Sequence, residues 1–206
     1  MYIPHYFKNN NLSDNIEFIK KFPLGILITA KDGLPIANHL PFVTTMQGKD
    51  LILDTHLSKT NDQWQDLSGQ DCLIIFSEPN SMIDATLYEN SKEHVPTWNY
   101  VAIHCYGVCR IIKEEIEIEN KLKEMVNNFN PAFAKEWQNM SDGYKQIMKE
   151  GIVTIEVKVN EIQAKWKLSQ NKQYAEVENV ISKYVNSKEL NKMEIGIMME
   201  KHIPKK

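Results

Sequence analysis

Asn99-Tyr100-Val101-Ala102-Ile103-His104-Cys105-Tyr106-Gly107-Val108-Cys109-Arg110-Ile111-Ile112 is the stretch that decides the fold. Successive side chains of an extended chain point to opposite faces, so Val101, Ile103, Cys105 and Gly107 share one side and Ala102, His104, Tyr106 and Val108 the other. Both sets contain apolar residues. The stretch therefore predicts a long strand covered in part on both faces. Working back toward the start, 24–30, 35–43, 50–55 and 70–76 are rich in Ile, Leu, Val and Thr. Lys31-Asp32-Gly33, Gln47-Gly48-Lys49-Asp50 and Ser68-Gly69 punctuate them, which reads as a strand meander. A short helix opens the chain at 13–22 and stops at Pro23. A second is expected over 60–67, where Thr60 and Gln63 have capping-box spacing and Trp64 and Leu67 turn inward.

Beyond the long strand, Ile118, Leu122, Met125, Val126 and Phe129 form one helical stripe that ends before Asn130-Pro131. Helical patterning resumes over 133–137 and 144–148 until Gly151. Extended runs follow at 152–159 and 162–168, then helices at 174–185 and 189–199. About seven or eight strands with antiparallel signals, and helices confined to insertions and the end, predict a mainly β fold: a small barrel with α decoration. A doubly wound parallel sheet does not fit, because strands and helices do not alternate and neither GxGxxG nor GxxxxGK[ST] occurs.

The chain has 206 residues, 42% of them hydrophobic and 25% charged, with a formal net charge of −3. Such usage excludes collagen-like, mucin-like and wholly disordered chains, and it marks no overall polycation for duplex or membrane surface. Cys72, Cys105 and Cys109 are an odd number of thiols. No apolar run approaches the roughly 20 residues of a spanning helix. A reducing cytoplasmic setting with no membrane partner is the expectation. His39, His56 and His104 lack HxH or HExxH spacing and the cysteines lack CxxC, so no metal site is expected. No catalytic triad or acid–base pair is identifiable.

Three segments carry candidate chemistry. In Asp54-Thr55-His56-Leu57-Ser58-Lys59-Thr60-Asn61 a strand gives way to a capped helix. Free N–H groups, the Ser58 hydroxyl and the Lys59 ammonium there would suit a phosphate; the alternative is a helix cap with Ser58 and Lys59 merely solvated. In Val95-Pro96-Thr97-Trp98-Asn99-Tyr100, Trp98 can stack on a planar ligand with Asn99 bonding its edge, or Trp98 can close a barrel end. In Gln163-Ala164-Lys165-Trp166-Lys167-Leu168-Ser169-Gln170-Asn171, alternation puts Lys165 and Lys167 on one face and Trp166 on the other, as in an amphipathic edge strand.

Met1-Tyr2-Ile3-Pro4-His5-Tyr6-Phe7, Asn38-His39-Leu40-Pro41, Pro96-Thr97-Trp98-Asn99-Tyr100 and Lys165-Trp166-Lys167-Leu168-Ser169-Gln170-Asn171, in that order, resemble the PaiB family. These are FMN-binding split-barrel proteins described as negative transcriptional regulators of sporulation and protease production. The resemblance implies a six-stranded antiparallel Greek-key split barrel over 1–172 with a helical extension at 173–206 packed on it, a homodimer, and FMN at the subunit interface. By the same resemblance Thr55, His56, Ser58, Lys59 and Asn61 form the phosphate-holding turn. Trp98 and Asn99 approach from the long strand, and Lys165 with Trp166 forms an arm toward the flavin of the partner subunit. Asp84-Ala85-Thr86-Leu87-Tyr88 stands where Ser-Pro-Ser-Trp-Tyr is expected, and Lys172 stands for Arg.

Two functions follow. One is a flavin-binding transcriptional repressor, with DNA or a regulatory protein as partner at family level only. The alternative is an FMN-dependent oxidoreductase of the flavin-reductase or pyridoxamine-oxidase kind. No helix-turn-helix pattern is present. Lys183, Lys188, Lys192, Lys201, Lys205 and Lys206 near the end are largely offset by Glu176, Glu178, Glu189, Glu194 and Glu200, as on a solvated helical face.

Overall fold

The computed structural model describes residues 1–88 and 91–204, so Lys205 and Lys206 lie outside the described residues. The chain forms two compact units, each assembled from separated segments. Unit 1 comprises Met1–Asn15, Ser77–Ile103 and Gln163–Lys206; unit 2 comprises Ile16–Phe76 and His104–Ile162.

Unit 2 is built on an antiparallel sheet. Strands β1 (Leu24–Lys31) and β2 (Leu34–Pro41) form a hairpin, as do β3 (Val43–Gln47) and β4 (Asp50–Ser58). The first turn places Asp32 at φ 52° and Gly33 at φ 78°. Positive φ at both central residues matches the right-handed twist of the flanking strands, which is why Asp-Gly recurs in such turns. Strand β5 (Asp71–Phe76) pairs with β1, and the first part of β8 (Ile152–Lys167) pairs with β4. With β7 (Thr97–Ile111) the order is β2-β1-β5-β7-β8-β4-β3. Leu27, Leu53, Ile74, Phe76, Ile155 and Val157 are fully buried in its core. The β7 alternation is realised: Val101, Ile103, Cys105, Gly107 and Cys109 are buried, whereas His104, Tyr106 and Val108 are only partly covered and Arg110 is exposed. A Cβ on Gly107 would lie 2.4 Å from the Lys158 carbonyl, so only glycine permits this approach of backbones.

Three sequence expectations differ from what unit 2 shows. The run 35–43 is two strands, because Pro41 offers no N–H to extend β2. The Phe42 N–H then bonds the Pro23 carbonyl at 2.9 Å, and its ring meets Phe76 edge-on. The expected helix over 60–67 is a five-residue 3-10 turn, Asp62–Asp66, capped by the Asn61 side chain. Gln63 is drawn inward instead of reaching back to Thr60: its amide donates to Thr29 Oγ1 and the Leu27 and Ile36 carbonyls and accepts from Asn38. The third is the segment 152–168, which is a single strand, β8.

Helix α1 (Leu12–Lys21) begins in unit 1 and ends in unit 2. In unit 2, α2 (Glu115–Phe129) packs Leu122 and Met125 against Val43, with Ile118, Trp137 and Ile152 beside them. Helices α3 (Ala134–Asn139) and α4 (Asp142–Glu150) follow, the second capped by Ser141.

Unit 1 contains β6 (Asn80–Ile83) paired with the start of β7, the end of β8, and helices α5 (Tyr174–Val185) and α6 (Leu190–His202). Val177, Val180, Ile181, Ile195 and Met199 are buried. The N-terminal strip joins the end of β8, where the Met1 ammonium bonds Gln163 and the Asn9 N–H donates to the Ala164 carbonyl at 3.1 Å. Among the described residues no helix is long and apolar enough to cross a membrane. All three cysteines are free thiols and buried.

Candidate functional site

In unit 2, Thr55 and His56 lie near the end of β4, opposite Ile155 and Thr154 of β8. Thr55 is fully buried, and its hydroxyl and that of Thr154 have no hydrogen-bond partner among the described residues. His56 is half-buried with Nδ1 3.4 Å from Met125 Sδ, and burial lowers its pKa, so the ring is neutral at physiological pH. Past the strand end the chain turns outward. Ser58 and Lys59 are exposed, and the Ser58 and Thr60 hydroxyls lie 2.8 Å apart. The Lys59 backbone is held at both ends, its N–H donating to the Gly151 carbonyl and its carbonyl accepting from Trp64 Nε1, each at 2.9 Å. Its ammonium has no carboxylate in ion-pair reach among the described residues. Asn61 is committed to capping Gln63 N at 3.0 Å. The turn thus offers two hydroxyls and one uncompensated cation to an anion. The helix dipole expected to help is missing, since a single 3-10 turn sums too few peptide dipoles.

Beneath this corner lies a charged cluster that sequence reasoning missed. Lys121 of α2 reaches into the sheet, 2.8 Å from Asp54 and 3.1 Å from Glu156. Arg110 bonds Glu156 at 2.9 Å and Glu117 at 2.5 Å. Asp54 is 1% exposed, and one of its oxygens has no partner among the described residues. Burial is the larger effect on its carboxyl, and its pKa is pushed up to about 6 despite Lys121. Lys121 itself is raised, because two carboxylates outweigh its own desolvation. The two directions agree physically: Glu156 competes with Asp54 for the same ammonium. The legible signal was Asp54 itself, a carboxylate inside the apolar run from Leu51 to Leu57.

In unit 1 the predicted residues divide by exposure. Trp98, 55% exposed, sits across from Met82, 49% exposed, on the β6–β7 ribbon. Lys165 lies over the rings of Tyr2 and Tyr100, 6.0 and 5.4 Å from their centroids. Asn99 is fully buried, bonded to the Ser169 hydroxyl at 3.0 Å. Trp166 is 5% exposed; its N–H donates to Asn15 Oδ1 at 2.9 Å and its ring lies against His202. Of the two residues expected to form an arm, Trp166 is occupied within unit 1, and Lys165 lies over Tyr2 and Tyr100.

Asn99 also borders a cavity of about 360 Å³ inside unit 1, which the sequence did not indicate. Lys167, Ser169 and Asn171 reach it from the end of β8 and the turn beyond, the same-face alternation of the late motif continued past the strand. Lys167 donates to Thr97 Oγ1 at 2.6 Å and to the Trp98 carbonyl, and burial lowers its pKa. Lys172 lies 2.9 Å from His94 Nδ1 and 4.8 Å from the centre of the Tyr88 ring. Ser169 holds φ +68°, a left-handed conformation uncommon outside glycine and asparagine.

The segment 1–161 matches the family model described as "Putative FMN-binding domain". Over its whole length the chain is 32% identical to the Bacillus subtilis "Protease synthase and sporulation protein PAI 2", spanning 99% of that protein. Among solved structures, the flavocytochrome Anf3 from Azotobacter vinelandii superposes with a TM-score of 0.62 at 17% identity, covering 79% of this chain and 70% of that one. The FAD and heme binding protein from Mycobacterium smegmatis gives 0.60 at 14% identity, covering 78% and 73%. These two likenesses bear on the fold, a split β-barrel of mainly antiparallel strands with helices.

Proposed function

This chain belongs to the PaiB family of FMN-binding split-barrel domains, which makes a flavin its cofactor, and from that premise we propose that it acts as a flavin-binding negative transcriptional regulator. The Ser58–Lys59 turn would hold the FMN phosphate, and the protein would work as a homodimer in the cytoplasm. The observation that carries the phosphate assignment is the Lys59 ammonium, exposed, without a carboxylate partner among the described residues, on a backbone fixed from both sides. The Ser58 and Thr60 hydroxyls beside it supply further donors. FMN brings two-electron and one-electron redox chemistry when bound; the turn's part is to anchor its anionic end. Trp98, exposed on its ribbon, has a free ring face for a planar system, and Lys165 is a second cation. Thr55, His56 and Asn61 would shape the turn from within. Regulation is proposed from kinship with the Bacillus protein, whose name refers to protease synthesis and sporulation.

The test is titration of the purified protein with FMN, followed by absorbance and calorimetry. Saturable binding is expected, and Lys59→Ala is expected to weaken it roughly ten- to a hundred-fold, the value of one charge-assisted contact. Unchanged affinity would place the phosphate elsewhere. Mixing the flavin-loaded protein anaerobically with reduced nicotinamide separates the regulator from an oxidoreductase, because only the latter bleaches the flavin in a fast reaction.

A further inference from the structure

We infer that the cavity inside unit 1 is a binding site for a small organic carboxylate with a planar apolar body, separate from the flavin-phosphate turn. Its residues come from three parts of the chain: Tyr6 and Phe7 near the start, Tyr88, His94 and Asn99 before and within the start of β7, and Lys167, Ser169 and Lys172 at the end of β8 and beyond. A volume of about 360 Å³ is at the small end of the range for metabolite-sized pockets.

Charge selects the ligand's sign. Lys167 and Lys172 border the cavity, and the groups they bond, the Thr97 hydroxyl, the Trp98 carbonyl and the His94 ring, are all uncharged acceptors when His94 is neutral. Neither ammonium has a carboxylate in ion-pair reach among the described residues. Half-buried lysines without an anion are costly, and an anionic ligand removes that cost. Glu93, exposed at the edge, is the one carboxylate among the lining residues, and Glu176 lies 3.5 Å from the far nitrogen of His94. Among the described residues two ammoniums outside any ion pair face the cavity, which makes an anionic group the fitting ligand.

The remaining observations describe the ligand's body. Tyr6, Phe7 and Tyr88 supply aromatic wall, with the Tyr88 and His94 rings 4.5 Å apart. Tyr88 is 3% exposed, with its phenol beside the Ser169 hydroxyl. The Ser169 hydroxyl alongside is engaged with Asn99. The Tyr88 phenol and the Ser169–Asn99 pair give this wall hydrogen-bonding groups that a ligand's carboxylate can meet. Ser169 holds a left-handed backbone, a conformation that clusters at ligand sites.

The probe is 1-naphthoate, with uncharged 1-naphthamide as its isosteric control, measured by calorimetry and by chemical-shift mapping of the His94 ring. The expected result is saturable naphthoate binding, naphthamide weaker by at least about tenfold, and perturbation of the His94 resonances. Lys172→Gln, at a partly exposed position, should lower naphthoate affinity roughly ten- to a hundred-fold with an unchanged melting temperature. Equal binding of acid and amide, no saturable binding of naphthoate at millimolar concentration, or an unaffected Lys172→Gln variant would each overturn the proposal. So would displacement of naphthoate by FMN, which would make the cavity part of the flavin's own site. Because the wild-type comparison of acid with amide needs no flavin, its failure is distinguishable from failure of Lys59→Ala to weaken FMN.

Discussion

Asp54 shows how one side chain ties stability to pH. Its carboxyl is pushed up to about 6 in the folded protein, against about 4 in an unfolded chain. The folded state therefore holds this proton more tightly, and between about pH 4 and pH 6 the group's contribution to stability falls as pH rises. That difference in proton affinity is worth about 3 kcal/mol at most. Asp54→Asn abolishes that slope while keeping an acceptor for Lys121. In denaturant melts at stepped pH, the variant should match the wild type near pH 4 and gain on it by up to about 3 kcal/mol by pH 7. A difference that stays constant with pH would show that Asp54 is ionised throughout. At this scale the sequence was readable where charge or hydroxyl stood at a turn, as with Ser58 and Lys59. It was unreadable where a side chain's use depended on a distant partner: Trp166 looked like a free arm until Asn15 and His202 were seen to hold it.

Among the elements, the long strand and terminal helices were legible because their periods persist over many residues. The observed β7 and α5 agree closely with the alternation at 99–112 and the helix expected at 174–185. Short elements were decided by tertiary contacts instead. Gln63 had the spacing of a capping box, yet the acceptors of β1 and β2 drew it inward and left only a 3-10 turn. The helix pair α5 and α6 depends on one position that periodicity does not flag. A Cβ at Gly196 would lie 2.5 Å from Val185 N and 2.7 Å from the Tyr184 carbonyl carbon, backbone atoms that cannot swing aside. Gly196→Ala is expected to cost about 1–3 kcal/mol by overpacking, seen as a lowered thermal midpoint with retained helical circular dichroism. An alanine tolerated without loss would mean that the helices separate freely at this crossing.

For the molecule as a whole, what sequence patterning did not convey is that the backbone changes unit at residues 15/16, 76/77, 103/104 and 162/163. Nothing in composition marks those points, since they fall within α1, β7 and β8 as well as in connections. Helices α5 and α6 serve unit 1 from inside: Tyr184 donates to the Met82 carbonyl at 2.6 Å, Asn179 to the Leu87 carbonyl at 2.8 Å, and Asn99 donates to Met199 Sδ at 3.4 Å. A chain ended after Lys172 should therefore lose cooperative thermal unfolding and bind a hydrophobic dye; a sharp transition in calorimetry would show instead that residues 173–206 are a dispensable appendage. The pairing of the N-terminal strip with the end of β8 also sets an order of events during synthesis. Asn9 and Asn15 bond the Ala164 carbonyl and the Trp166 indole, and Trp166 follows Asn15 by 151 residues, so these partners are synthesised long after the strip itself. Unit 1 therefore cannot close around its N-terminal strip until synthesis has passed Trp166.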